Sequence, residues 1–268
     1  MKTPLLTWLL RLVVMCVVGF LLLPAVVVFI AGFNDRAILS FPPQSFSLRW
    51  FERALTYPDF RHGLRNALIV MVWTSTISIV VGAAFAYALN RYEFRLKHTL
   101  EAILMSPLMI PHFTIGLGLL MLGTQMGFAR TFGIVVFSHI VIVLPFVIRS
   151  VYISMQNLDP RLEKAATSLG APPWRVLVTI VLPLLAPGLF SGWLFAAILS
   201  FNEFTGSLFV TSQATQTLPV AMYNYVREYA DPTLAALSTI YIVITATLLT
   251  IANLYLGLGK VLNVEQSR

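Results

Sequence analysis

The sequence predicts an all-helical protein that crosses a membrane several times, and three observations carry this. Hydrophobic residues make up 58% of the 268 residues and charged ones only 11%, outside the range of soluble globular domains. Six stretches, at 12–33, 64–90, 99–123, 134–155, 184–210 and 234–259, are long and apolar enough to cross a bilayer, whose core of about 30 Å needs roughly 20 apolar residues in a helix. They are apolar on most faces rather than alternating with period two, which argues against the strands of a membrane barrel. The chain is read as one transmembrane domain over 1–268.

The first stretch follows Lys2 and Arg11. It is too long for a secretion-signal core and lacks a small-residue cleavage pattern, so it is expected to stay as an anchor. Cys16, the single cysteine, lies inside it and excludes an internal disulfide. Between the first two stretches, 34–63 carries Pro42, Pro43 and a mixed aromatic and charged run at 51–60. This composition predicts an extended segment followed by a surface helix. Asn66 heads the second stretch, where it fits capping or packing as well as contact with a solute.

Pro107 and Pro111 lie four residues apart in the third stretch and predict a kink, with His112 directly after it. A kink frees carbonyls that can face a cavity, and a histidine there fits either that role or a packed, hydrogen-bonded one. His139 and Pro145 in the fourth stretch leave the same two roles open.

The loop 157–183 is the chain's most patterned polar segment. Asp159 followed by Pro160 is a helix start, because the carboxylate satisfies an orphan amide and proline loses no needed donor in the first turn. Gly170 is the matching stop. Leu162, Ala165, Ala166 and Leu169 repeat at i, i+3, i+4, i+7, which predicts a short amphipathic helix with Arg161, Glu163 and Lys164 off its apolar face. After Ala171, Pro172 and Pro173 open a second short helix carrying Trp174 and Arg175, and Leu182 with Pro183 leads back to the bilayer. Such a pair of helices suits a groove on a soluble partner.

Gly188, Gly192, Ala196 and Ser200 form a narrow stripe of small residues on the fifth stretch. Small residues at this spacing let another helix or subunit approach closely. Glu203 falls on the same face and is the one acid well inside a predicted span. A charge near the bilayer centre costs about 2.5–3.5 kcal/mol, so the acid must face protein or water. Asn202, Glu203 and Ser207, with His112, are candidates for a solute path, and assembly is the competing role for Glu203.

The net charge of +7 is not a nucleic-acid signal, because the cations are dispersed through loops. Eleven of the eighteen Lys and Arg, among them Lys2, Arg91, Arg149, Arg161, Lys260 and Arg268, fall on the side shared by both termini and the loop 157–183. That side is therefore expected to be cytoplasmic. No phosphate-binding glycine loop, serine-hydrolase elbow or zinc-protease motif occurs, and Gly257 to Lys260 is no substitute. His62, His98, His112 and His139 lie on separate segments without metal-ligand spacing. No catalytic residue and no metal site is expected; transport or scaffolding remains.

Glu163, Ala165, Ala166, Gly170, Ile180, Leu182 and Pro183 resemble the cytoplasmic signature of bacterial ABC importer permeases, EAA followed by three residues, G, nine residues, I, any residue, and LP. The spacing from Ala165 to Pro183 matches without gaps. Counting back from Gly170, Lys164 occupies the usual glutamate position and Glu163 is displaced by one. RNALI at 65–69, SHIVIVLPFVIRS at 138–150, SFNEF at 200–204, TLPV at 217–220 and DPTLAALST at 231–239 extend the resemblance to the spermidine/putrescine-type permeases.

The resemblance implies a type I importer permease fold in a bacterial inner membrane. It implies a second permease, identical or homologous, two ABC ATPase subunits that bind ATP and Mg, and a periplasmic solute-binding protein; this chain would hold no cofactor. The role of coupling to the ATPase would fall on 163–170 and the turn through Trp174. A polyamine is the solute implied first, with iron, opines, aminoethylphosphonate or another small solute as the alternative. A secondary transporter would show inverted repeats, and none is evident; a membrane scaffold would leave the patterned loop without a role.

Overall fold

A computed structural model of the chain describes residues 4–37, 42–43 and 45–256, with side chains described from Thr7 to Thr247. It is built from helices in chain order: α1 Pro4–Ala31, α2 Arg49–Thr56, α3 Pro58–Arg91, α4 Lys97–Met105, α5 His112–Gln125, α6 Phe132–Gln156, α7 Pro160–Ser168, α8 Pro173–Val176, α9 Leu182–Asn202, α10 Ser207–Val210, α11 Leu218–Glu228 and α12 Thr233–Leu256. One isolated antiparallel bridge, Asn34 to Phe46, is the extended backbone within the loop 34–63. The chain divides into two compact units, residues 1–60 with 222–268, and residues 61–221.

In the first unit α12 packs against α1 and α2. A Cβ at Gly32 would lie 3.1 Å from the Ala236 backbone, so glycine permits this contact. Most of α1 is apolar and exposed, the condition of a helix made for lipid or a partner. The expected surface helix is α2, which buries Trp50 and Ala54 and is pinned by the Trp50 indole donating to the Asn34 carbonyl at 2.6 Å. Arg53 pairs with Asp231 at 3.5 Å, and Phe60, Tyr57, Tyr225 and Tyr229 stack edge to face or tilted around it. Burial pushes the Tyr225 phenol up to about 12, so it keeps its proton and donates to Asp231 at 2.9 Å.

In the second unit α6 and α9 form the central pair, with a core of Val143, Val147, Val151, Met155, Val181 and Ala196. The small-residue stripe sits in this seam. The Ser154 side chain occupies the space a Cβ at Gly188 would need, Gly192 lies against Ile79 and Ser150, and Ala196 and Ser200 are buried. The partner of the stripe is thus α6 and α3 of the same chain.

Among the described residues, four helices are long and apolar enough to cross a membrane, and a fifth span forms if a bent pair counts as one. That pair is Lys97–Leu108 and His112–Gln125, bent by 102°. The kink expected from Pro107 and Pro111 is therefore a full break: a single 3-10 turn at Ser106–Leu108 ends one half, and Pro111 caps the next.

The fifth span departs from expectation at both ends. It begins at Pro173 rather than 184 and ends at Asn202 rather than 210. Leu182 and Pro183 therefore lie inside the helix and do not lead into it. The helix absorbs Pro183 by widening into a π turn at Leu177–Val181, since proline cannot donate to the carbonyl four residues back. Residues 203–206 unwind because Glu203 bonds outside the helix, as described below. The sixth stretch corresponds to α12 through Leu256, while 257–259, Lys2, Lys260 and Arg268 lie outside the described residues.

Candidate functional site

Two groups of polar residues interrupt the second unit. The first is centred on Glu203, the C-cap of α9, which is only 7% exposed. Its two carboxylate oxygens take different partners. One accepts the Gly206 amide at 2.7 Å, and the other lies 2.9 Å from His112 Nδ1 at the start of α5. An uncapped amide after the helix end and a carboxylate needing compensation satisfy each other. The unwound turn is thereby fixed.

The network continues inward. Ser207 donates to the Glu203 carbonyl at 3.0 Å, and His139 lies 2.6 Å from Ser207 Oγ and 2.8 Å from Ser200 Oγ, with no exposed surface. Because the Ser207 proton is engaged by that carbonyl, Ser207 must accept from His139. The imidazole is assigned the Nε2–H tautomer, and Ser200 donates to Nδ1.

Close backbone contact holds this cluster on its third side. A Cβ at Gly116 of α5 would lie 2.6 Å from the Gly206 carbonyl oxygen, so only glycine fits there. Of the expected path residues, the fold brings His112, Glu203 and Ser207 together. Asn202 donates instead to the Ile198 carbonyl at 2.8 Å. Asn66 binds the carbonyls of Ala214 and Gln216 at 3.0 Å each, which ties α3 to the segment before α11. Nothing in the local spacing of His139, Gly116 and Gly206 announces their grouping, which rests on contacts made across 60 to 90 residues.

The second group is the loop after α6. Asp159 accepts the Arg161 amide at 2.9 Å and starts α7 as expected. At the other end Gly170 has φ +85°, its amide donates to Thr167 and that of Ala171 to Ala166. These are the two bonds of a left-handed helix stop.

The orientation of α7 corrects the expected apolar face. Ala166 and Ala171 pack on the core, whereas Leu162 is exposed, Leu169 is 89% exposed and Trp174 68% exposed. Glu163, expected off the packed face, turns inward and pairs with Arg91 at the end of α3, whose other nitrogen donates to Asn90 at 3.0 Å. Neither side chain of the pair is more than 17% exposed. Lys164 and Ala165 face outward. The ion pair takes the inward side beside Ala166, and Leu162, Ala165 and Leu169 stay outside, because a half-buried carboxylate without its cation is far costlier than exposed apolar side chains.

A bundle of long apolar helices with a broken span, a buried carboxylate on unwound chain and a solvent-facing helical loop defines the membrane subunit of a transporter. Residues 76–258 match the family model of the binding-protein-dependent transport system inner membrane component, and the chain belongs to this family. It is a multi-pass inner-membrane permease. The chain is similar to the spermidine/putrescine transport system permease protein PotC of Escherichia coli (strain K12), 29% identical over 236 residues that cover 88% of this chain and 89% of that protein. The PotC of Haemophilus influenzae is 30% identical over 89% of this chain and 92% of its own length. The molybdenum transport system permease protein ModB of Haemophilus influenzae is 34% identical over a shorter stretch, 61% of this chain and 77% of that protein. The fold is that of a chain in the crystal structure of a bacterial ABC transporter involved in the import of the acidic polysaccharide alginate, with TM-score 0.74, 14% identity and coverage of 95% and 98%.

Proposed function

We propose that this permease forms half of the conduit of an ATP-driven importer of polyamines, with Glu203 as the carboxylate that meets the cationic solute. The observation that carries the reading is the placement of Glu203: a buried acid on unwound chain, compensated by a histidine that a cation can replace. Two opposite charges about 4 Å apart attract by about 4 kcal/mol where the effective dielectric constant is near 20. The similarity to PotC supports the same solute class. A second permease completes the conduit, two ATPase subunits bind ATP and Mg, and a periplasmic binding protein delivers the solute. Both termini lie in the cytoplasm, on the side of the loop 157–183.

In this reading α7 and α8 dock in a cleft of the ATPase through the exposed Leu162, Leu169 and Trp174. Closing the ATPase pair moves the spans as rigid bodies, and ATP drives transport only to the extent that it favours one conformation over the other. Reconstitution of the complete complex with its binding protein in proteoliposomes tests the assignment. Spermidine or putrescine should stimulate ATP hydrolysis and be taken up, and Glu203→Gln should cut uptake about tenfold or more while the complex still assembles. Transport driven by an ion gradient without the ATPase would sink the importer reading; equal loss of assembly and uptake in the variant would assign Glu203 to packing.

Gly170 gives a separate handle on the loop. A Cβ there would meet nothing within 4 Å, so the penalty of substitution is that of the positive φ alone, about 1–2 kcal/mol for most residues and less for asparagine. Gly170→Val should therefore lower uptake severalfold with normal membrane levels, and Gly170→Asn should retain most of it. Uptake assays that rank the two alike would contradict this account.

A further inference from the structure

The orientation of α7 fixes which charges of the loop reach a partner. Around the helix, Glu163 projects to one side and is bound by Arg91 and Ala166 packs on the core, while Arg161, Lys164, Ala165 and Ser168 face outward. Arg175 of α8 is also exposed, beside Trp174. The only acid on the exposed surface of this loop is Asp159, whose carboxylate caps α7. The loop thus presents three cations, one anion and the exposed apolar side chains Leu162, Leu169 and Trp174.

We propose that this surface mates with an ATPase cleft rimmed by carboxylates, with Lys164 reaching an acid of the partner while Glu163 stays within the chain on Arg91. The inference rests on the docking reading above and adds the sign of its electrostatics. An acid crossing the interface at this place would have to leave Arg91, stranding a guanidinium that is 17% exposed. Lys164 needs no such rearrangement: it is already outside, on a flexible stem, and follows Glu163 directly in sequence. Complementary charge at a docking surface sets partner choice and encounter rate more than total affinity. The arrangement therefore selects an ATPase whose cleft is acidic and rejects one whose cleft presents arginine.

Co-purification of the ATPase subunit of the same transporter with the assembled permeases, carrying Lys164→Ala or Lys164→Glu, tests this by sign. Lys164→Ala should weaken retention of the ATPase about threefold and Lys164→Glu tenfold or more, and retention by the unaltered permease should fall as salt rises from about 50 to 500 mM. An Asp or Glu to Lys change on the cleft rim should restore Lys164→Glu. Retention by Lys164→Glu equal to or tighter than that of the unaltered chain would overturn the assigned polarity while leaving docking intact. Failure of the unaltered permease to retain its ATPase would overturn docking itself.

Discussion

Arg91→Ala is expected to leave a permease that inserts and assembles yet transports at less than about a tenth of the normal rate. The Arg91 fork joins the end of α3 to α7 by holding Asn90 with one nitrogen and the Glu163 carboxylate with another. Truncation strands the carboxylate. Removing one partner of a buried pair costs about 3–5 kcal/mol, and α7 relieves this by pulling away from the core rather than by unfolding the spans. The loop then no longer follows α3.

Lysine is a poor replacement, since a single ammonium cannot serve both acceptors in the planar geometry of the guanidinium. Arg91→Met combined with Glu163→Leu should recover a large part of the rate, because a well-packed apolar pair of similar volume is often as stable as a buried ion pair. Uptake and solute-stimulated ATP hydrolysis in proteoliposomes give the measurement, with the amount of assembled complex as reference. Full activity of Arg91→Ala would show that α7 is held by other contacts.

What could be read from the sequence was local. Five of the six apolar runs, the bend at Pro107 and Pro111 expected as a kink, the start of α7 at Asp159 and its stop at Gly170 all follow from short-range chemistry, and each has its counterpart among the described residues. The end of α9 does not. No glycine or proline stands at 203 to 205 to stop a helix, and the chain unwinds because Glu203 gains more from His112, 91 residues away, and from the Gly206 amide than from another helical turn.

The rotation of α7 has the same origin. Apolar spacing placed Leu162, Ala165, Ala166 and Leu169 on the buried face, but the pairing of Glu163 with Arg91, 72 residues apart, decided which side turns in. Periodicity ranks faces by hydrophobicity; it carries no term for an ion pair made with another helix. The stripe on the fifth span was legible as a seam, and only the fold shows that Ser150 and Ser154 of α6 fill it.

His139→Ala should destabilise the second unit most among single changes to its polar network. The ring is fully buried and bridges the hydroxyls of Ser200 on α9 and Ser207 on α10. Its loss leaves two buried hydroxyls short of a partner, at about 1–3 kcal/mol each, and opens a cavity that adds to the cost. For a chain of this size each kcal/mol corresponds to about 2–4 °C in melting temperature, so a drop of the order of 10 °C is expected for the detergent-solubilised complex. The assigned tautomer makes a sharper statement. A glutamine amide reaches the Nε2 position and can donate to Ser207, which keeps the turn that carries Glu203 in place; an asparagine amide reaches only the Nδ1 position and serves Ser200 alone. His139→Gln should therefore retain both stability and uptake better than His139→Asn. Melting curves and uptake rates that place asparagine above glutamine would reverse the donor order from His139 through Ser207 to the Glu203 carbonyl.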